Sequence, residues 1–402
     1  MKMVHSLNLG AVCATLALAG ALAPTTSSAQ PPDNAYAKAI AEALRAIEQG
    51  RNDEARGVVT STSPAARGFE FDYIQARLAC GAGPDGDAAD LIKFIAKPDV
   101  DIRYAVLHPL ERQVAFLCRD GSIRVNDLRR TDEPPSIHPH PKGSAVWSGA
   151  FSGDGRRFIS GHQDGEVLVW DVSTWKVMTA LSLPSKMPVS QVAISPDGKS
   201  IVAEGEKELE LWSLAGESPT KVAGIGPRYN FGEGLAISPK GDVVATGGMF
   251  DIIVHDLKTG KPLRTMQHAS YTMGLQFSPD GTRIASAPRG NVNRFLGMFD
   301  ATTSRSLYNK GPFGQYVVGL AFTADGKRVV ATGGENVLRL FDMATGEVVL
   351  SLSRPKCCQE PGFTASGRLL GWSEPDGYHF IDLGPKHEAG PKAPASDRRS
   401  TP

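Results

Sequence analysis

The stretch Ala145-Val146-Trp147-Ser148-Gly149-Ala150-Phe151-Ser152-Gly153-Asp154-Gly155, continued by Arg157 to Ser160 and by Val167-Leu168-Val169-Trp170-Asp171, decides the fold. Ala145 to Phe151 reads as a first strand. Ser152 to Gly155 turns the chain, Arg157 to Ser160 returns, and Asp164-Gly165 turns it again into a third strand. Asp-Gly between apolar runs favours a tight hairpin in which both turn residues take positive φ. Val167 to Trp170 are apolar at consecutive positions, which suits a strand covered on both faces.

The unit repeats. Ser195-Pro196-Asp197-Gly198, Ser278-Pro279-Asp280-Gly281, Ser238-Pro239-Lys240-Gly241, Thr323-Ala324-Asp325-Gly326 and Thr364-Ala365-Ser366-Gly367 occupy the first turn in other copies. Ser, Pro and Gly stand where a type I turn prefers them. His108-Pro109-Leu110-Glu111 takes this slot in the first copy without its Gly. The spacing of about 40 to 45 residues is that of one four-stranded propeller blade. Third strands end in register at Asn126-Asp127, Trp170-Asp171, Trp212-Ser213, His255-Asp256, Phe299-Asp300, Phe341-Asp342 and Ile381-Asp382, which makes seven copies. Pro134 and Pro135 fall where the first copy's fourth strand is expected, a place proline tolerates only at an outer edge. The seventh copy holds three strands before Pro385, so Leu91 to Ile95 is expected to supply its fourth and close the ring.

These motifs resemble the WD-repeat family of β-propellers over roughly Leu91 to Leu383. The expected fold is all-β: a seven-bladed WD-repeat-like propeller preceded by a small α-helical hairpin. Only Trp170 and Trp212 keep the family's tryptophan, and only Gln267-His268 keeps its histidine at the usual spacing. The family's His–Asp–Ser–Trp hydrogen-bond network is therefore expected to be mostly absent, with apolar stacking between blades in its place. Asn34 to Gln49, Asn52 to Val59 (with Asn52 as cap) and Gly68 to Leu78 read as helices. The pair around Gly50 resembles a tetratricopeptide-like hairpin, too small to bury its own face, that packs on the propeller or on a partner. Arg67-Gly68-Phe69-Glu70-Phe71-Asp72-Tyr73-Ile74 resembles the segment that joins such hairpins to propellers in bacterial WD-repeat proteins. No kinase loop accompanies it.

The expected organisation is a signal peptide over 1–29, a helical segment over 30–84, the propeller over 89–384 and a disordered tail over 385–402. Lys2, the apolar run Leu9 to Leu22 and the small residues Ser27-Ser28-Ala29 make a secretory signal cleaved after Ala29. The run is short for a bilayer span, and no later segment is apolar enough. The mature chain is thus expected in the periplasm or outside the cell. Lys plus Arg equals Asp plus Glu at 43 each, which argues against a general nucleic-acid binder. Export permits disulfides. Cys80 or Cys118 could join Cys357 or Cys358, or the four could be buried thiols.

No zinc helix, phosphate-cradling loop, nucleophile elbow or haem motif occurs in the sequence. His138-Pro139-His140 could offer two imidazoles to a metal, but no third ligand can be named, so neither metal nor cofactor is expected. Asp127, Asp171, Asp256, Asp300, Asp342 and Asp382 are expected at turns and strand ends. His162, His255 and His379 are expected to pack. Connections into the first strand, and between the second and third, share one face of a propeller. They carry Arg228, Tyr229, Phe231, His268, Tyr271, Arg289, Arg294, Phe295, Phe313 and Tyr316. Tyr and Arg dominate binding hot spots. The expected function is a non-enzymatic scaffold, a monomeric ring that binds a protein or peptide. The alternative is a propeller enzyme or small-ligand binder, lactonase-like or quinoprotein-like, with its site in the central channel. A third reading, envelope assembly as in TolB-type propellers, is disfavoured because that family usually has six blades.

Overall fold

The computed structural model describes residues 35–79, 92–96, 100–110, 113–205, 209–225, 234–267, 271–289, 295–311, 313, 317–333, 336–354 and 359–383. Their strands form seven four-stranded antiparallel sheets, each a blade in chain order. Blade 2 shows the pattern: Val146–Phe151, Arg157–His162, Glu166–Asp171 and Lys176–Ser182 pair consecutively. First strands contact those of both neighbouring blades all the way round, so they line the centre of a closed ring. Closure comes from Ile92–Ala96, which pairs with Gly377–Asp382 and completes blade 7. One strand from before blade 1 thus joins the two ends of the ring.

Consecutive apolar residues have a direct reason. Val167 and Val169 of blade 2 point into the cluster shared with blade 3, while Leu168 and Trp170 point into the one shared with blade 1. A strand sandwiched between two blades must be apolar on both faces. Among the described residues one such cluster fills each of the seven blade interfaces.

The first turns are built alike. Gly155, Gly198, Gly241, Gly281, Gly326 and Gly367 all take φ between 66° and 73°, a left-handed conformation costly for other residues. The opening hydroxyl meets the turn carboxylate: Ser152 with Asp154, Ser195 with Asp197 and Ser278 with Asp280 at 2.6 Å, Thr323 with Asp325 at 2.7 Å. Third-strand aspartates then cap the next turn, as Asp256 does by accepting from Thr259 N at 2.8 Å.

Three details differ from the sequence reading. Only Gly165 of the Asp164-Gly165 turn has positive φ, because the connection is a three-residue loop with glycine at its left-handed position. Pro134 and Pro135 precede the outer strand Ser136–Pro139 rather than occupying it. Asn52 is the first residue of its helix, whose N-cap is Arg51 with no side-chain cap.

Three helices precede the ring: α1 (Ala35–Glu48), α2 (Asn52–Thr60) and α3 (Phe69–Ala79). The helices pack on the propeller. Ile40, Ile47, Phe69, Tyr73 and Ile74 share one cluster with Leu338, Leu340 and Leu350 of blade 6 and Trp372 of blade 7. The Arg67–Ile74 segment fastens them. Buried Glu70 pairs with buried Arg328, Nη2 to Oε1 2.7 Å, and Asp72 pairs with Arg368 at 2.8 Å. Phe69 meets Phe363 edge-on at 5.3 Å.

Cys118 is a buried free thiol, packed with Phe116 and Tyr378 at the interface of blades 7 and 1. It packs there as a small hydrophobe. Cys80, Cys357 and Cys358 lie outside the described residues.

Candidate functional site

A channel of about 680 Å³ runs through the ring, lined by first-strand residues of all seven blades. Tyr104, Ser148, Ser190, Gln191 and Gln276 are its polar side chains; no carboxylate, imidazole or cationic group is among the described lining. Several of these groups tie blades together. Ser148 Oγ donates to Val189 O at 3.0 Å, and Gln276 Oε1 accepts from Phe322 N at 3.0 Å.

At one end of the channel lie the starts of the first strands and the connections between second and third strands. Here the first strands are irregular. In blade 1 the register passes from Ile102↔Cys118 to Tyr104↔Leu117, leaving Arg103 bulged. In blade 2 it passes from Val146↔His162 to Ser148↔Gly161, leaving Trp147 bulged. The register slips at the same place in blades 5 and 6. A bulge re-aims one side chain out of the strand's alternation. In neighbouring blades it brings Arg103 over the Trp147 ring, 3.5 Å from guanidinium to centroid. Tyr104, 38% exposed, lies 5.8 Å from the same guanidinium and lines the channel. Further round this face, Met187 and Phe250 are 42% and 57% exposed, and Phe295 is half-buried.

The residues expected at this face divide three ways. Tyr271 and Arg289 stand opposite each other at the loop end of blade 5. Phe313 is a correction: it is buried, 5.7 Å from the Phe341 ring, with the Arg339 guanidinium 5.0 Å from its ring. It seals the interface of blades 5 and 6, where its apolar ring is better covered than in solvent. Arg228, Tyr229, Phe231, His268, Arg294 and Tyr316 lie outside the described residues. Arg103, Tyr104 and Trp147 were not expected here. The signal for Trp147 was a large aromatic at an inner strand position, where neighbouring first strands crowd.

His138 and His140 do not converge. The His138 ring stacks on Trp175 at 5.0 Å. His140 instead meets His162, with ring centroids 4.3 Å apart. Of the polar network expected to be mostly absent, a Trp–Ser–His part, without its Asp, is present in blade 2. Trp170 Nε1 donates to Ser160 Oγ at 2.8 Å, Ser160 Oγ donates to His162 Nε2 at 2.7 Å, and His162 Nδ1 donates to Ser144 O at 3.3 Å. His162, two residues beyond Ser160 on one strand, supplies the imidazole. Burial holds its pKa down at about 4. In blade 4, Thr246 Oγ1 bonds His255 Nε2 at 3.2 Å, with histidine in the tryptophan's place.

Two groups place metal-type ligands near one another: His140 with Asp164 and Glu166, and Glu374 with Asp376 and His379. In the first, His140 Nδ1 accepts from Lys142 N at 3.0 Å and Ser144 N at 3.1 Å. That assigns the proton to Nε2, so the nitrogen facing Glu166 is a donor. In the second, Arg354 Nη2 donates to His379 Nδ1 at 3.3 Å, which leaves Nε2 to donate to Asp376 at 3.1 Å. Arg354 also pairs with Glu374 at 2.7 Å. Both groups hold hydrogen-bond donors where a cation needs lone pairs.

The family model "WD domain, G-beta repeat" matches residues 134–171, which is blade 2 with its approach. The chain is 24% identical over 237 residues to the APC/C activator protein CDC20 of Saccharomyces cerevisiae, covering 54% of this chain and 37% of that protein. It is 26% identical over 192 residues to the serine-threonine kinase receptor-associated protein of Gallus gallus, covering 47% of this chain and 51% of that one. WD repeat-containing protein 90 of Mus musculus is 34% identical over 107 residues, 27% of this chain and 6% of that protein. The matches thus span about half or less of these relatives. Among solved structures, the β-propeller domain of Myceliophteria thermophila Cps50 (Swd1) superposes with a TM-score of 0.60 at 14% identity, covering 72% of this chain and 98% of that one. The chain is a seven-bladed β-propeller that carries a WD40 repeat and has WD-repeat proteins among its relatives.

Proposed function

We propose that this protein is an exported, non-enzymatic scaffold that binds a protein or peptide on the loop end of its ring. The carrying observation is the Arg103–Trp147 stack beside exposed Tyr104, at the mouth of a channel whose described lining has no carboxylate, imidazole or cation. Arg, Trp and Tyr are the types that carry most interface energy, each with a large flat contact area and a polar handle. Acid–base or metal chemistry needs titratable or ligating groups that converge on a reacting atom, and this lining offers none. Arg103, Tyr104 and Trp147 are carried on paired strands, so little ordering of the backbone opposes binding.

The test is capture from cell extract by the chain from Gln30 onward, with a second bait carrying Tyr104→Ala and Trp147→Ala. A protein retained by the first and lost from an equally stable second supports the reading. Equal retention by both rejects this face as the site. Export is tested separately by cell fractionation and N-terminal sequencing, where a mature start at Gln30 is expected and a start at Met1 overturns it.

A further inference from the structure

We infer that the loop-end site recognises an Asp or Glu side chain within a peptide segment of the partner, and that Arg103 is the residue that reads it. The inference rests on the scaffold reading and names the chemistry of its partner.

Arg103 is a cation without a carboxylate. Among the described residues it makes no hydrogen bond or ion pair, and its Nε is buried without a partner. Asp101, two residues earlier, is paired with Arg119 at 2.8 Å. What Arg103 does have is a platform. The bulges of blades 1 and 2 set its guanidinium face on Trp147 at 3.5 Å, which fixes the plane of the fork and leaves its edge to a ligand. A flat guanidinium held on an aromatic face and presenting its N–H edge is the arrangement that takes a carboxylate through two parallel hydrogen bonds.

The surroundings narrow the ligand. Among the described residues Arg103 is the cation held on this stack; nearby Arg119 is already paired with Asp101, and the described channel lining adds none. An Arg fork can take either group, but a phosphate carries nearly twice the charge of a carboxylate and gains from further cations, whereas a carboxylate's single charge is matched by one guanidinium. Exposed Tyr104, beside the guanidinium, offers contact to the chain on either side of the acid. An acidic residue flanked by neutral ones therefore fits this mouth better than a run of acids or a phosphorylated segment.

The experiment uses phage-displayed random 12-residue peptides, embedded internally in the coat protein, selected on the chain from Gln30 onward. Selected peptides are expected to share an Asp or Glu. A synthetic peptide of that sequence should bind about tenfold to a hundredfold weaker when the acid is changed to its amide. Against Arg103→Gln, acid and amide peptides should bind equally. The peptide-side change needs no altered protein, so it stands even if Arg103→Gln is destabilised. Peptides lost with Trp147→Ala but lacking a shared acid would overturn this inference and leave the scaffold reading standing. An acidic preference seen only at a free peptide C-terminus, or tighter binding when phosphoserine replaces the acid, would also overturn it. Selection of no peptide, or of peptides indifferent to Trp147→Ala and Tyr104→Ala, would remove both.

Discussion

Arg328 of blade 6 and Glu70 of α3 form a fully buried ion pair, with Arg328 Nη2 2.7 Å from Glu70 Oε1. Arg328 also donates to Ala66 O at 2.8 Å and pairs with Asp342 at 2.7 Å. One guanidinium thus joins the helical segment to the second and third strands of a blade. Removing Glu70 takes the buried counter-charge from a guanidinium that keeps only Asp342 at the edge, and removing Arg328 strands Glu70 in a dry interior. Glu70→Ala is expected to cost about 3 kcal/mol in urea unfolding. The double change Glu70→Leu with Arg328→Met should regain part of that, because apolar pairs of similar volume replace buried ion pairs well, although Asp342 and Ala66 O then lose their donor. A double variant as unstable as the single one would show that the pair does more than satisfy itself.

The Trp170–Ser160–His162 chain makes a prediction about pH. The folded pKa of His162 lies at about 4, below the usual value of about 6.5 in an unfolded chain. As pH falls from 6.5 to 4 the unfolded chain therefore takes up a proton that the folded protein refuses. Stability present above about 6.5 should be lost through that window, by about 2–3 kcal/mol. Urea midpoints at pH 7 and 4.5 test this, with His162→Gln expected to shrink the difference. Ser160→Ala should cost about 1–3 kcal/mol at pH 7, since Trp170 and His162 each lose a partner.

Much of the ring was legible in the sequence because its turns need particular residues. Gly155 and its five counterparts must tolerate positive φ, and in four of these turns the hydroxyl and the Asp before the Gly bond each other. Those demands recur in six of the seven blades, so the spacing survives in the chain. Closure was legible too, since a three-stranded seventh copy left an edge for a preceding apolar segment. The site was not. Arg103 and Trp147 are aimed by bulges, and a strand's alternation carries no mark of where it slips. Phe313 sits in a connection, where an aromatic reads the same whether it turns inward or outward. His162 was hidden because its ring stands in for one expected from the preceding connection.

The turn aspartates govern a lower pH range. Hydrogen bonds from Ser195 hold Asp197 below the usual carboxylate range; those from Ser173, Thr259 and Thr303 do the same for Asp171, Asp256 and Asp300. Each folded pKa lies under its unfolded value. The stability they give is present above about pH 4 and lost as pH falls through the folded values. Denaturant midpoints between pH 4.5 and 2.5 should fall steeply, and Asp197→Asn should flatten that fall while leaving the His162 window unchanged. An unchanged acid limb would assign it to other carboxylates.

The closing strand makes the sharpest structural prediction. Ile95 pairs with Tyr378, is 3% exposed and packs at the interface of blades 7 and 1 with Phe116 and Phe380. Without Ile92–Ala96 the edge of Gly377–Asp382 loses its ladder and that interface loses its cover, leaving a strand edge open to pairing with other chains. Deleting residues 85–97 should lower the melting temperature and promote aggregation. Cys118 reports the event, because it lies in the same cluster and burial pushes its thiol up to about 11. In a background with Cys80, Cys357 and Cys358 changed to Ser, Cys118 should resist thiol reagents in the closed ring and react quickly in the deletion. A deletion that melts like the parent and leaves Cys118 protected would mean that the interface of blades 7 and 1 holds without the strand.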